Sequence, residues 1–146
     1  MRRKVPNHGP CFVCGSENPQ SIGITMFVEE DGRLTSEFTL NEAHQGPPRH
    51  AHGGASAAIL DEVMGLVVWA AGHKVLAANI NINYRKPLPL HVPLLAEARI
   101  TEVGGRKITS EGKIMLPDST VAVEGSGVYV VANKFFEDSA FRKVHS

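Results

Sequence analysis

Hydrophobic and polar positions alternate along most of this chain, and one stretch departs from the rule. Over residues 55–71 nearly every position is apolar or small and no proline interrupts. That pattern predicts a helix apolar all round, and therefore a buried one. On either side the period is that of strands. Residues 22–29 and 33–40 predict two strands joined through Glu30-Asp31-Gly32, whose Asp-Gly pair is a hairpin signal. The Pro- and His-rich segment 41–51 is a loop that delivers the chain to the helix, and Gly72-His73-Lys74 ends it with a glycine and cations suited to a helix C-terminus. Val75–Tyr84 then alternates strictly, with Ile80, Ile82 and Tyr84 on one side and Asn79, Asn81 and Asn83 on the other. Three long strands follow, 94–103, 106–116 and 120–131, separated by turns at Gly104-Gly105 and Pro117-Asp118-Ser119. The sum is an α+β fold in which a curved antiparallel sheet wraps one long central helix.

Two adjacent carboxylates, Asp61 and Glu62, sit in the middle of that helix, which holds no Lys or Arg to pair with them. Burying an ionised carboxylate is costly unless it is paired or hydrogen-bonded, so the acids need a purpose. At 100° per residue, Gly54, Ala57, Ala58, Gly65 and Val68 fall within about 60° of Asp61. Asp61 therefore lies on a stripe of small side chains with room for a ligand, while Glu62 points elsewhere and is expected to hydrogen-bond across a subunit seam or to the N-terminal loop. At the helix start, Gly53 and Gly54 contribute unpaired N–H groups where the dipole favours negative charge, a suitable place to polarise a carbonyl oxygen. Gly53 and Asp61 are about 12 Å apart along one helix axis, whereas attack on a polarised carbonyl needs about 3 Å. One helix cannot serve one carbonyl with both groups. A second copy packed antiparallel can, so an active site built from them is shared between subunits.

Bulk properties narrow the picture. A length of 146 residues fits one domain with a real core. Fifteen basic and fifteen acidic residues cancel, which removes the general electrostatic case for nucleic acid or membrane binding. Met1-Arg2-Arg3-Lys4 is followed by no apolar run of the kind a secretory signal requires, so a cytoplasmic location is expected. Residues 1–20 read as an N-terminal arm, 21–133 as the single domain and 134–146 as a tail that docks as a short helix or stays loose. Cys11-Phe12-Val13-Cys14 supplies only half of a zinc ligand set and lacks a following helix to activate a thiol. It is read as a structural turn, and no metal or other cofactor is expected. The three asparagines of 75–84 are either a solvated face or a subunit seam or ligand wall.

His52-Gly53-Gly54 with Asp61 nine positions on resembles the hotdog-fold acyl-coenzyme A thioesterases of the phenylacetic-acid-degradation type. The likeness extends to Cys11-x-x-Cys14-Gly15 with Asn18-Pro19, to Gln45-Gly46-Pro47-Pro48, and to the stretch from Ala78 to Pro87. The resemblance implies a hotdog fold, sheets joined edge to edge in a homodimer, either alone or paired again as a dimer of dimers, and a site at the dimer seam. It assigns the thioester oxygen to the Gly53 N–H, with Gly54 beside it. It makes Asp61 of the other subunit the nucleophile or general base, and gives His52 a positioning role. Such relatives often carry Asn or Gln where this chain has Gly46, with Gln45 adjacent, and some carry Thr at the place of Ala77. Gln45, Gly46, Asn79, Asn81, Arg85 and Lys86 are the candidate substrate contacts; Arg106 and Lys107 are further candidates for coenzyme A phosphates. Coenzyme A enters as part of the substrate, not as a cofactor. The alternatives weighed are a hydratase on the same fold, whose motifs are absent, and a non-catalytic acyl-CoA-binding regulator.

Overall fold

The computed structural model describes residues 1–6 and 8–137. Its elements are β1 (Arg3–Lys4), β2 (Phe27–Val28), β3 (Leu34–Phe38), a 3-10 turn (Glu42–His44), α1 (Gly53–Ala70), β4 (Val75–Tyr84), β5 (Leu94–Gly104), β6 (Lys107–Met115), β7 (Val121–Val131) and α2 (Asn133–Phe136). All strands join one antiparallel sheet in the order β1-β2-β3-β5-β6-β7-β4. α1 lies along the inner face against β3 to β7.

The alternation sets which residues meet the helix. Leu94, Ala96 and Ala98 of β5, Ile108, Ser110 and Ile114 of β6, and Val123 and Tyr129 of β7 are buried inward. They pack on Ile59, Leu60, Val63, Met64, Val67 and Val68 of α1. Ser110, a polar group in that core, donates its hydroxyl to the Met64 carbonyl at 2.9 Å and so avoids an unsatisfied burial. The outer face carries charge: Glu97 bridges Arg33 and Lys113, and Arg99 pairs with Glu111. By length and composition α1 also suits a membrane span, but here its apolar face is the core of the sheet.

The helix is buried on one side only. Gly54 is exposed, and Ala57, Ala58, Asp61 and Gly65 are half-buried, so the small-residue stripe stays open as expected. Val68 does not belong to it, being fully buried. Gly72, at φ 100°, closes the helix, with its N–H on Trp69 and the His73 N–H on Val68. The 30–32 turn is also as expected: the Glu29 N–H meets the Arg33 carbonyl at 2.8 Å around Gly32 at φ 90°. Both flanking strands are shorter than expected, since β2 keeps two residues.

The arm differs from the sequence reading, while the start of the tail takes one of its two expected courses and docks as a short helix. The arm adds a seventh strand: Arg3 and Lys4 pair with Val28 and Phe27, and Val13 and Cys14 enter the core. At the other end, α2 sets Phe136 edge-on against Trp69 at 4.7 Å between centroids; the rest of the tail, Phe141 included, lies outside the described residues. β4 closes the opposite end of the sheet. Its one partner among the described residues is β7, and Leu76, Asn79, Asn81, Asn83 and Tyr84 along it are exposed.

Candidate active site

The start of α1 is built as a donor. His52 is the N-cap, extended at φ −65°, ψ 140°, and its Nδ1 accepts the Gly54 N–H at 2.8 Å. An accepting Nδ1 leaves the proton of the neutral ring on Nε2, turned to solvent. Because His52 takes the Gly54 N–H, the donor remaining at the tip is Gly53, whose N–H has no acceptor among the described residues. Tyr84, at the end of β4, donates its hydroxyl to the Gly53 carbonyl at 2.7 Å, and its ring lies where a Gly53 Cβ would be 3.3 Å from it. Sheet edge and helix tip are thus locked together.

Asp61 lies two turns on, half-buried, with a partner that sequence reasoning missed. Tyr129 donates its hydroxyl to Asp61 Oδ1 at 3.0 Å and lies 3.2 Å from the Asp61 carbonyl. Its ring is nearly fully buried, and two glycines make room for it. A Cβ on Gly65 would come within 3.2 Å of the ring, and one on Gly127 within 2.5 Å. A hydroxylated aromatic on the inner face of a Val-rich strand, with glycines at these places, was the available signal. Burial raises the Asp61 carboxyl above the ordinary aspartate range, with the nearby Glu62 charge adding to it, while the Tyr129 hydrogen bond pulls it back down. The Tyr129 phenol is pushed up, first by burial and then by the Asp61 charge, so it remains a donor. The carboxyl opens into a cleft of about 740 Å³ lined by Leu66, Trp69, Val75, Leu76, Ala77 and Phe136.

The other candidates are spread more widely. Gln45 Oε1 accepts the Arg49 N–H at 3.1 Å, so that side chain braces its own loop. Gly46 has no room for the Asn or Gln of relatives, since a Cβ there would lie 2.8 Å from the His52 Cα. Asn79 and Asn81 share the outer side of β4 and bond to each other at 3.1 Å. Arg85 and Lys86 follow Tyr84 beside the helix tip; the Arg85 guanidinium pairs with Glu124. Arg106 and Lys107 lie at the opposite end of β7, since Lys86 bonds to Ala122 and Lys107 pairs with Val130. About 27 Å of strand separates them, too far for all four cations to hold one ligand within one subunit.

Glu62 faces the N-terminal segment, as one of its two expected roles required, and accepts from Cys11 Sγ at 3.1 Å. His8 Nδ1 lies 3.2 Å from Cys14 Sγ. Burial, then the hydrogen bond and charge of Glu62, push the Cys14 thiol up. That disfavours the thiolate a redox pair needs.

A helix wrapped by one antiparallel sheet, with a glycine-tipped N-terminus and a half-buried acid two turns on, defines a protein of the hotdog class. The family model of the thioesterase superfamily matches residues 49–123, and the chain belongs to that family. It is similar to the rat acyl-coenzyme A thioesterase THEM4, 32% identical over 82% of this chain and 52% of the relative. The chain thus spans about half the length of that relative. Among solved structures it is similar to a thioesterase superfamily protein at 36% identity and TM-score 0.80, covering 83% of this chain and 60% of the other. A Streptococcus mutans protein solved bound to acetyl CoA shares the fold at TM-score 0.70 and 20% identity, over 75% of this chain and 88% of that one.

Proposed function

We propose that this chain is an acyl-CoA thioesterase of the cytoplasm, acting as a homodimer whose two sites each draw on both subunits. The observation that carries the reading is where the two halves of the site lie along β4. Gly53 is held under Tyr84, at the strand's end; the Asp61 cleft is walled by Val75, Leu76 and Ala77, at its start. β4 is an exposed edge. Two such edges joined antiparallel place one subunit's end against the other's start, bringing a Gly53 N–H toward the partner's Asp61. The about 12 Å that separates these groups on one helix is then bridged by the two-fold axis.

In that arrangement the thioester oxygen sits on the Gly53 N–H, where dipole and donor stabilise the charge that develops on it. The ionised Asp61 carboxylate either takes a proton from the attacking water or attacks the carbonyl carbon itself. In both routes the C–S bond breaks, the thiolate of coenzyme A leaves and is protonated, and water supplies the oxygen of the free acid. The apolar cleft receives the acyl tail, and Arg85 and Lys86, beside the tip, face the coenzyme A phosphates. Similarity to acyl-coenzyme A thioesterases and to a fold solved with acetyl CoA supports the substrate class. Thiol release from a panel of acyl-CoAs tests the reading. Asp61→Asn should lower kcat by at least about 10²-fold with the fold intact. Turnover as fast as wild type would remove Asp61 from the mechanism; acyl-CoA binding without hydrolysis by either protein would replace the enzyme with a binding module.

A further inference from the structure

The mechanism uses one of the two acids of α1 and leaves Glu62 over. Glu62 meets three side chains of the N-terminal segment: the ligand atoms of His8, Cys11, Cys14 and Glu62 all lie within 4.8 Å of one another. We propose that these four residues form a structural zinc site that ties the N-terminal segment to α1 beside Asp61. The sequence alone supplies a half set of ligands at Cys11 and Cys14; the fold delivers the other half from positions six residues before and 51 residues after.

The spacing fits a tetrahedral ion. With Zn–S near 2.3 Å and Zn–N or Zn–O near 2.0 Å, ligand atoms stand about 3.3–3.8 Å apart. The His8–Cys14 and Cys11–Glu62 pairs are already at 3.2 and 3.1 Å, and the remaining separations need close by only about 1 Å. Four protein ligands complete the coordination shell, which is the mark of a structural rather than a catalytic site. Two sulfurs and an imidazole select zinc over magnesium or calcium, which take oxygen shells. On binding, each thiol gives up its proton to solvent and a dithiolate, a neutral imidazole and a carboxylate surround the ion.

The backbone holds the ligands ready. The Gly15 N–H bonds to the Cys11 carbonyl at 2.9 Å, folding the Cys11–Cys14 pair into a tight turn. A Cβ on Gly15 would sit 2.2 Å from the Cys11 nitrogen, so the turn requires glycine. Ile22 and Gly23 donate to the Phe12 and Val13 carbonyls at 2.8 and 2.9 Å, pinning it from below. The segment also needs a fastening, because its own strand is two residues long. A dithiol redox pair is the rival reading, and in it His8 and Glu62 have no task.

The test uses the full chain, stripped with a chelator under reductant and loaded with cobalt(II), then zinc(II). Expected are one cobalt per chain, a near-ultraviolet thiolate-to-cobalt band with intense visible d–d bands of a tetrahedral site, full displacement by equimolar zinc, and a rise in Tm with zinc. Glu62→Gln and His8→Gln should each weaken zinc binding at least about 10-fold, in keeping with losses on perturbing a metal shell. Cys14→Ser should reduce the charge-transfer band by about half or more, since Cys11 is then the one remaining thiolate. Because Cys14 is buried and its variant can misfold, the wild-type cobalt spectrum is the deciding readout. A weak octahedral spectrum, absence of the thiolate band, or zinc binding unchanged in both Glu62→Gln and His8→Gln would overturn the site. Metal stoichiometry is read without turnover, so this outcome is separate from that of the thioesterase assay.

Discussion

The hydroxyl of Tyr129 reaches Asp61 from β7, and this contact tunes the acid against its burial. Desolvation raises the Asp61 carboxyl and the hydrogen bond lowers it. In the proposed mechanism the carboxylate must be ionised whether it acts as base or nucleophile, so activity should fall as pH drops through a pKa above the ordinary aspartate range. Tyr129→Phe removes the lowering contact and should move the acid limb of kcat/KM to higher pH, read from a pH–rate profile. A phenylalanine variant with an unmoved limb would separate Tyr129 from the acid. The same shift carries a stability sign. A folded-state pKa above the unfolded one means that protonation favours the fold, and that contribution is lost as pH rises from the unfolded through the folded pKa. Asp61→Asn should therefore raise Tm at neutral pH while it abolishes turnover, with the gap closing on acidification.

The long helix was legible because nothing about it depends on distant residues: a proline-free run, apolar or small except at Asp61 and Glu62, with a glycine pair before and a glycine stop after. β4 to β7 were legible for the same reason, through alternation and short turns. What the one-dimensional pattern could not carry was pairing across the fold. Arg3 and Lys4 look like a basic arm until Phe27 and Val28 offer them an edge. Tyr129 looks like one more inward strand residue until Gly65 and Gly127 bracket its ring. The resemblance named the Gly53 N–H as the expected donor; that the His52 side chain takes the neighbouring Gly54 N–H was not legible in the sequence. The tip can be disarmed without melting it. Proline is tolerated at the first helical position, and His52, at φ −65°, ψ 140°, already has the conformation a following proline demands. Gly53→Pro deletes the N–H and should cost about 10²–10³ in kcat, whereas Gly53→Ala, which brings the same Cβ to about 3.3 Å from the Tyr84 ring but keeps the N–H, should cost far less; full activity of the proline variant would free Gly53 of its role.

At the scale of the molecule, the proposed sharing of the site between subunits makes a sharper forecast than either variant alone. In the proposed dimer, neither Asp61→Asn nor Gly53→Pro alone leaves an intact site. A heterodimer of the two has one, formed by the Gly53 of the first chain and the Asp61 of the second. Random mixing of refolded chains should restore about a quarter of wild-type turnover, since half the dimers are mixed and each carries one working site of two. If the mixture stays inactive, each site lies within one subunit. A monomer in solution that turns over acyl-CoA would contradict the arrangement by itself.

The edge-on stacking of Phe136 on Trp69 has a bearing on which fatty or aromatic acids the protein can process. Both rings line the cleft into which Asp61 opens, where the proposed reading puts the acyl tail, and one of them is contributed by a four-residue helix after the last strand. On that reading the selectivity filter is a plug rather than a fixed barrel stave. Phe136→Ala should shift the kcat/KM ranking toward bulkier or longer acyl groups, leaving thiol release from short ones nearly as fast. Drift in this short appendage would let related proteins change their menu without touching the catalytic rod.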